Sequence, residues 1–153
     1  MNELNDSAKH IYQNINLIER YNKLAIKFND WDNRIIKVDK NRILQILKNY
    51  HYPFKYLDKD FYFTEKVHDF VFHIALQVKG GVGNVVINVK KDNEFYDFQS
   101  GNIGRVNKLI LGLETGSLIL YSNYDQLSEI IESFLLIYED FKAEFLKQVE
   151  QEN

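Results

Sequence analysis

Asp58 and Asp60 lie upstream of a Gln77-x-Lys79 pair, and side chains of these types can cut phosphodiesters. A carboxylate can hold Mg²⁺ while an ammonium orients the attacking water. On a strand Gln77 and Lys79 share a face, since side chains alternate. Gln77 is neutral where a metal ligand is usually charged, and no further acidic residue adjoins it. The chain then runs on as "KGGVGN" (Lys79–Asn84). A phosphate-cradling loop needs its lysine after the glycines and a helix behind it. Here Lys79 comes first and a strand-like run follows, so the glycines read as a hairpin connection.

Other catalytic groups are sparse. There is no Cys, which removes disulfides and thiolate chemistry. His68 and His73 differ by an odd number, so a strand would point them to opposite faces, and His10 and His51 have no acidic or His partner at ligand spacing. The Asp58/Asp60–Gln77–Lys79 set resembles the half-motif of restriction-type nucleases of the PD-(D/E)xK superfamily. That resemblance implies Mg²⁺-dependent DNA cleavage. Against it, the net charge of −3 supplies no basic surface for phosphate contact. The residues therefore favour a protein that is not an enzyme, with no cofactor and no metal, and the nuclease stays as the alternative.

A second pattern concerns recognition. From Ser122 onward eight acidic residues stand against Lys142 and Lys147. At ~100° per residue, Asp125, Glu129, Glu132, Glu139, Asp140 and Glu150 fall on one helical face with Leu136 in its middle. An acidic face with one apolar anchor suits a basic protein partner. The segment Tyr50–Phe63, "YHYPFKYLDKDFYF", holds seven aromatics in fourteen positions. Most are expected in the core, but Tyr52 and Tyr56, with Asp58 and Asp60, form a second candidate contact surface. Carboxylates between the rings argue against stacking on nucleic acid.

The elements that must carry these residues follow from periodicity. At 153 residues, 45% hydrophobic and 27% charged, the chain reads as one soluble domain spanning 1–153. No window approaches the roughly 20 apolar residues of a membrane span, and "MNELNDSAKH" lacks a signal peptide's apolar run. A cytoplasmic location is expected. A first helix is predicted from Asn5 to Phe28, with apolar ridges on both Ile11–Ile15–Ile18–Ala25 and Leu17–Tyr21–Leu24–Phe28. A short helix starts at Asp39 as N-cap and ends before Pro53. Strands are predicted around Lys55–Thr64, His68–Val78, Val85–Val89, Phe95–Phe98 and Ser117–Ser122. "SGNIGRVNKLILGLETG" is open between helix and strand. Asn123 and Gln126 can form a capping box for a long helix from about Tyr124 to Glu150, whose apolar row is Leu127, Ile131, Phe134, Tyr138, Phe141 and Phe145. The expected class is α+β: an antiparallel sheet of about four to five strands flanked by an N-terminal helix and a long C-terminal amphipathic helix.

Usage is skewed, with 15 Lys against 4 Arg, 16 Ile and 16 Asn, as in an AT-rich bacterial genome. With this bias, the single acidic domain and the ending "SLILYSNYDQLSEIIESFLLIYEDFK", the chain resembles the small cytoplasmic immunity proteins that neutralise bacterial polymorphic toxins, such as those of contact-dependent inhibition. The resemblance is one of type, so it carries over no residues. It implies a cognate toxin, with a basic surface and nuclease activity among its options, whose active site or substrate path the protein covers. A homodimeric interaction module is a third reading, because Phe134–Tyr138 is apolar on almost every side.

Overall fold

The computed structural model describes residues 6–92, 94–95, 101–113 and 116–152. The fold is α+β, with five helices, an antiparallel sheet and a long C-terminal helix. Helices α1 (Asp6–Asn14), α2 (Leu17–Lys27) and α3 (Lys40–Leu47) precede strands β1 (Lys55–Leu57), β2 (Asp60–Val67), β3 (Phe70–Gln77), β4 (Val82–Lys91) and β5 (Glu94–Phe95). Then come α4 (Ile103–Leu111), β6 (Ile119–Leu120) and α5 (Tyr124–Glu152).

Strand order is β1-β2-β3-β4-β5, all antiparallel, and β6 pairs with the opposite end of β4. The long edge of β4 is thus completed by short pieces: β6 at Val82–Gly83, Asn102 at Val86, and β5 at Lys90–Lys91. In β3 and β4 alternate residues are buried, which is the period-2 pattern of a sheet with one covered face. Phe63, Phe70 and Phe72 turn inward and meet Tyr138 and Phe145 of α5 edge to face, at centroid distances of 5.6, 5.0 and 6.1 Å for Phe63–Tyr138, Phe70–Phe145 and Phe72–Tyr138. The predicted apolar row of α5 is buried throughout. The predicted capping box closes its start: the Gln126 N–H donates to Asn123 Oδ1 at 2.8 Å, and the Gln126 side chain accepts from the Ser122 N–H at 2.8 Å. Asp39 caps α3 as expected, accepting from the Asn41 N–H at 3.0 Å.

Several expectations need correction. The first helix is two, because Asn16 adopts the left-handed conformation (φ 58°) and turns α2 away from α1. The ridge Ile11–Ile15–Ile18–Ala25 runs across the break, while Leu17, Tyr21 and Leu24 are buried within α2. The Lys55–Thr64 region is a hairpin rather than one strand, with Asp58 and Lys59 both at positive φ between β1 and β2. His68 (φ 54°) belongs to the turn before β3 rather than to that strand's apolar face. The open segment after Ser100 is a helix, α4, capped by Asn102, whose Oδ1 accepts from the Arg105 N–H at 3.0 Å. The last strand keeps only Ile119 and Leu120. Of the strand predicted at Phe95–Phe98, residues 96–98 lie outside the described residues. Finally, the Phe134–Tyr138 run finds its partners within the chain: Phe134, Leu135, Ile137 and Tyr138 are all buried and only Leu136 is exposed.

Candidate functional site

The outward side of α5 is a continuous stripe. Asp125, Glu129, Glu132, Leu136, Asp140, Ala143, Lys147 and Glu150 recur every three or four residues and all are exposed. Leu136, at 55% exposure, sits mid-stripe. The sequence placed Asp125, Glu129, Glu132, Leu136, Asp140 and Glu150 together, and the helix holds them in phase because its opposite row is anchored on the sheet.

The stripe is less acidic than its sequence suggests. Arg20 of α2 pairs with Asp140 at 2.7 Å, and Lys27 pairs with Glu129 at 2.6 Å. Arg20 also donates to the Ile15 carbonyl at 3.2 Å, so one guanidinium ties the α1–α2 break to α5. Beside it a shallow hollow of ≈ 530 Å³ runs between Asn14–Lys23 and Asp140–Glu144. With two of the four central carboxylates paired, Asp125 and Glu132 carry the remaining uncompensated charge of that stretch.

Glu139 leaves the stripe. Its carboxylate accepts the Tyr52 hydroxyl and pairs with Lys142 at 3.0 Å. Tyr52 in turn stacks on Phe63 at 4.4 Å, so this candidate contact residue is committed to the core edge. Glu65 joins the same cluster, accepting from Tyr138 at 2.5 Å and from Lys142 at 2.6 Å. Burial pushes the Tyr138 and Tyr52 hydroxyls well above the ordinary tyrosine value, and their carboxylate partners push them further. Of the other aromatic-segment candidates, Tyr56 is 39% exposed with Lys40 Nζ 4.3 Å from its ring centroid, and Asp58 is at the hairpin tip. Asp60 is half-buried, and its Oδ1 is enclosed without a hydrogen-bond partner.

The nuclease-type set is not assembled as the spacing implied. Gln77 ends β3, whereas Lys79 opens a 3₁₀ turn (Lys79–Gly81), so the two do not share a strand face. Asp60 lies one residue along from the Phe61–Leu76 pair and comes level with Gln77, but Asp58 lies in the turn beyond. Among the described residues no three His, Cys, Asp or Glu side chains gather where they could hold a metal ion.

No protein-family model, curated protein or solved structure matches the chain. Sequence reasoning missed a further surface, an apolar cleft of ≈ 310 Å³ rimmed by Lys40, Lys59 and Lys79. Lys79 stands out in sequence only as half of the Gln77-x-Lys79 pair, and only the folded chain brings it to one cleft with Lys40 and Lys59. Among the described residues no helix is long and apolar enough to cross a membrane.

Proposed function

We propose that the protein is a non-enzymatic inhibitor, an immunity-type protein that binds a bacterial toxin and covers its active site or substrate path through the outward stripe of α5. The observation that carries this reading is the exposure of Leu136 on a helix whose core-facing row is already complete. Folding does not require a leucine there. An apolar side chain flanked one turn either way by Glu132 and Asp140 suits a partner with an apolar pocket and a basic rim. Desolvated apolar anchors supply much of the energy of such contacts, while surrounding charges speed encounter and set register. Asp125 and Glu132 steer, whereas Asp140 and Glu129 must first share or release Arg20 and Lys27.

Co-purification from the native bacterium with tagged protein, followed by growth rescue on co-expression with the captured chain, tests the reading. A stoichiometric, salt-sensitive partner carrying a toxic catalytic domain, neutralised by this protein, is the expected result. No such partner, together with Mg²⁺-dependent DNA cleavage lost on Lys79→Ala, would establish the nuclease instead.

A further inference from the structure

The cleft lies between the start of α3, the β1–β2 hairpin and the Lys79–Gly81 turn. Its lining includes the buried side chains of Ile43, Phe61 and Val78. One wall is Tyr56, whose ring also tilts against Phe61 at 4.9 Å. The other is the Ile36–Val38 stretch, with Ile36 66% exposed. That stretch is held in place by its neighbours. The Ile35 N–H donates to the Tyr121 carbonyl at 3.0 Å, and Arg34 Nε donates to the Gly80 carbonyl at 3.1 Å.

Three lysines line the cleft from three separate elements: Lys40 from the first residue of α3, Lys59 from the hairpin tip and Lys79 from the 3₁₀ turn. All three are exposed, and none is in an ion pair found among the described residues. The carboxylates nearest in sequence are Asp39, Asp58 and Asp60. Asp39 is engaged with the Asn41 N–H, and Asp60 points to the other side of β2 from Phe61. Asp39, beside Lys40, and Asp58, at the hairpin tip, keep their charge and oppose an anion.

We propose that this cleft binds a small polyanion with a planar apolar body, of the chemical class of a nucleoside polyphosphate. Like charges around one mouth repel each other, and a multiply charged ligand relieves that repulsion where a single carboxylate would not. The aliphatic floor of Ile43 and Val78 and the Ile36–Val38 wall take the planar body, beside a Tyr56 ring that already carries the Lys40 ammonium at 4.3 Å. The cavity is at the small end of ligand-pocket sizes, which favours a small molecule over a length of partner chain. This site is separate from the α5 stripe and stands or falls independently of the inhibitor reading.

Isothermal titration of the full chain with ATP, inorganic tripolyphosphate and adenosine tests it. The expected result is saturable one-to-one binding of ATP, with tripolyphosphate and adenosine each weaker by about tenfold or more. The Lys59→Gln/Lys79→Gln double variant should weaken ATP by about tenfold, through loss of two charge-assisted contacts. Lys66→Gln, an exposed lysine toward the far end of β2, should leave affinity unchanged. Absence of saturable ATP binding overturns the proposal. So does tripolyphosphate binding as tightly as ATP, which would reveal diffuse attraction only, or an undiminished double variant. The comparison of the three probes on the unaltered chain decides the matter even if a variant folds poorly.

Discussion

Glu65 on β2 and Lys142 on α5 lie 77 residues apart in the chain and meet at 2.6 Å, with the Tyr138 hydroxyl on the same carboxylate oxygen. The apolar row anchors α5 on the sheet, and this cluster adds directional contacts that help to fix the rotation of the helix about its axis. That rotation decides which residues face outward, so the cluster bears directly on the exposure of Leu136.

The cluster predicts a pH profile. Burial acts to raise the Glu65 pKa, but the hydrogen bonds from Lys142 and Tyr138 outweigh it and leave the carboxyl below its usual value. Burial acts to lower Lys142, yet Glu65 and Glu139 outweigh it and raise the ammonium. A depressed carboxyl gives stability that is present above its unfolded pKa of about 4.3 and lost as pH falls through the folded value. A raised ammonium gives stability that is present below about 10.4 and lost as pH rises through the folded value. Urea unfolding across pH should show a plateau near neutrality with a fall at both ends. Lys142→Met should cost about 1–2 kcal/mol at pH 7, discounted for partial exposure, and should flatten the acid limb. An unchanged acid limb would show that Glu65 is not coupled to Lys142.

Leu136→Arg should change stability by no more than about 0.5 kcal/mol, as for other exposed positions. Binding of the proposed toxin partner should weaken by about 2 kcal/mol or more, the size of an interface hot spot. Ile137→Arg, at the adjacent buried position, should instead unfold the protein. Denaturant melts of both variants beside a partner titration would separate the two effects. A large stability loss for Leu136→Arg would make it a core residue and remove the anchor from the proposed interface.

What could be read from the sequence was what local periodicity encodes. The strand alternation around Phe72 and Ile87, the Asp39 and Asn123–Gln126 caps and the outward phase of Leu136 all depend on residues within a few positions of each other. The break at Asn16 was hidden because the apolar ridges continue through it, so nothing in the hydrophobic pattern signals a left-handed residue. Asp58–Lys59 escaped notice as a two-residue hairpin turn because it lacks the usual glycine. The pairings that neutralise Glu129 and Asp140, or draw Glu139 toward Tyr52, join distant segments, and spacing cannot reveal them. The lysine-rimmed cleft was invisible for the same reason.

Asn16 offers a direct test of the helix break. Asn16→Gly should be nearly neutral, because glycine adopts positive φ freely. Asn16→Ala should cost about 1 kcal/mol for forcing a Cβ into the left-handed region. Thermal melts would measure both. If Asn16→Ala matches the native protein, the break is set by packing of α1 and α2 rather than by the conformation of this residue.

Gly80 and Gly81 separate backbone strain from close packing. Both have positive φ, 61° and 79°. A Cβ at Gly80 would meet nothing within 4 Å, whereas at Gly81 it would lie 2.7 Å from Arg34 Cβ and 2.9 Å from the Ile35 carbonyl oxygen. Gly80→Ala should therefore cost about 1 kcal/mol, the strain of the left-handed region alone. Gly81→Ala adds a wedge between the turn and the Arg34–Ile35 crossing, for a total of about 2–4 kcal/mol. Because the Gly81 carbonyl accepts from the Tyr121 N–H and the Tyr121 carbonyl from the Ile35 N–H, the wedge should also speed amide exchange at Tyr121 and Ile35. Equal melting temperatures for the two variants, with exchange unchanged, would mean that Arg34 and Ile35 move aside freely and that the cleft wall they support is not rigid.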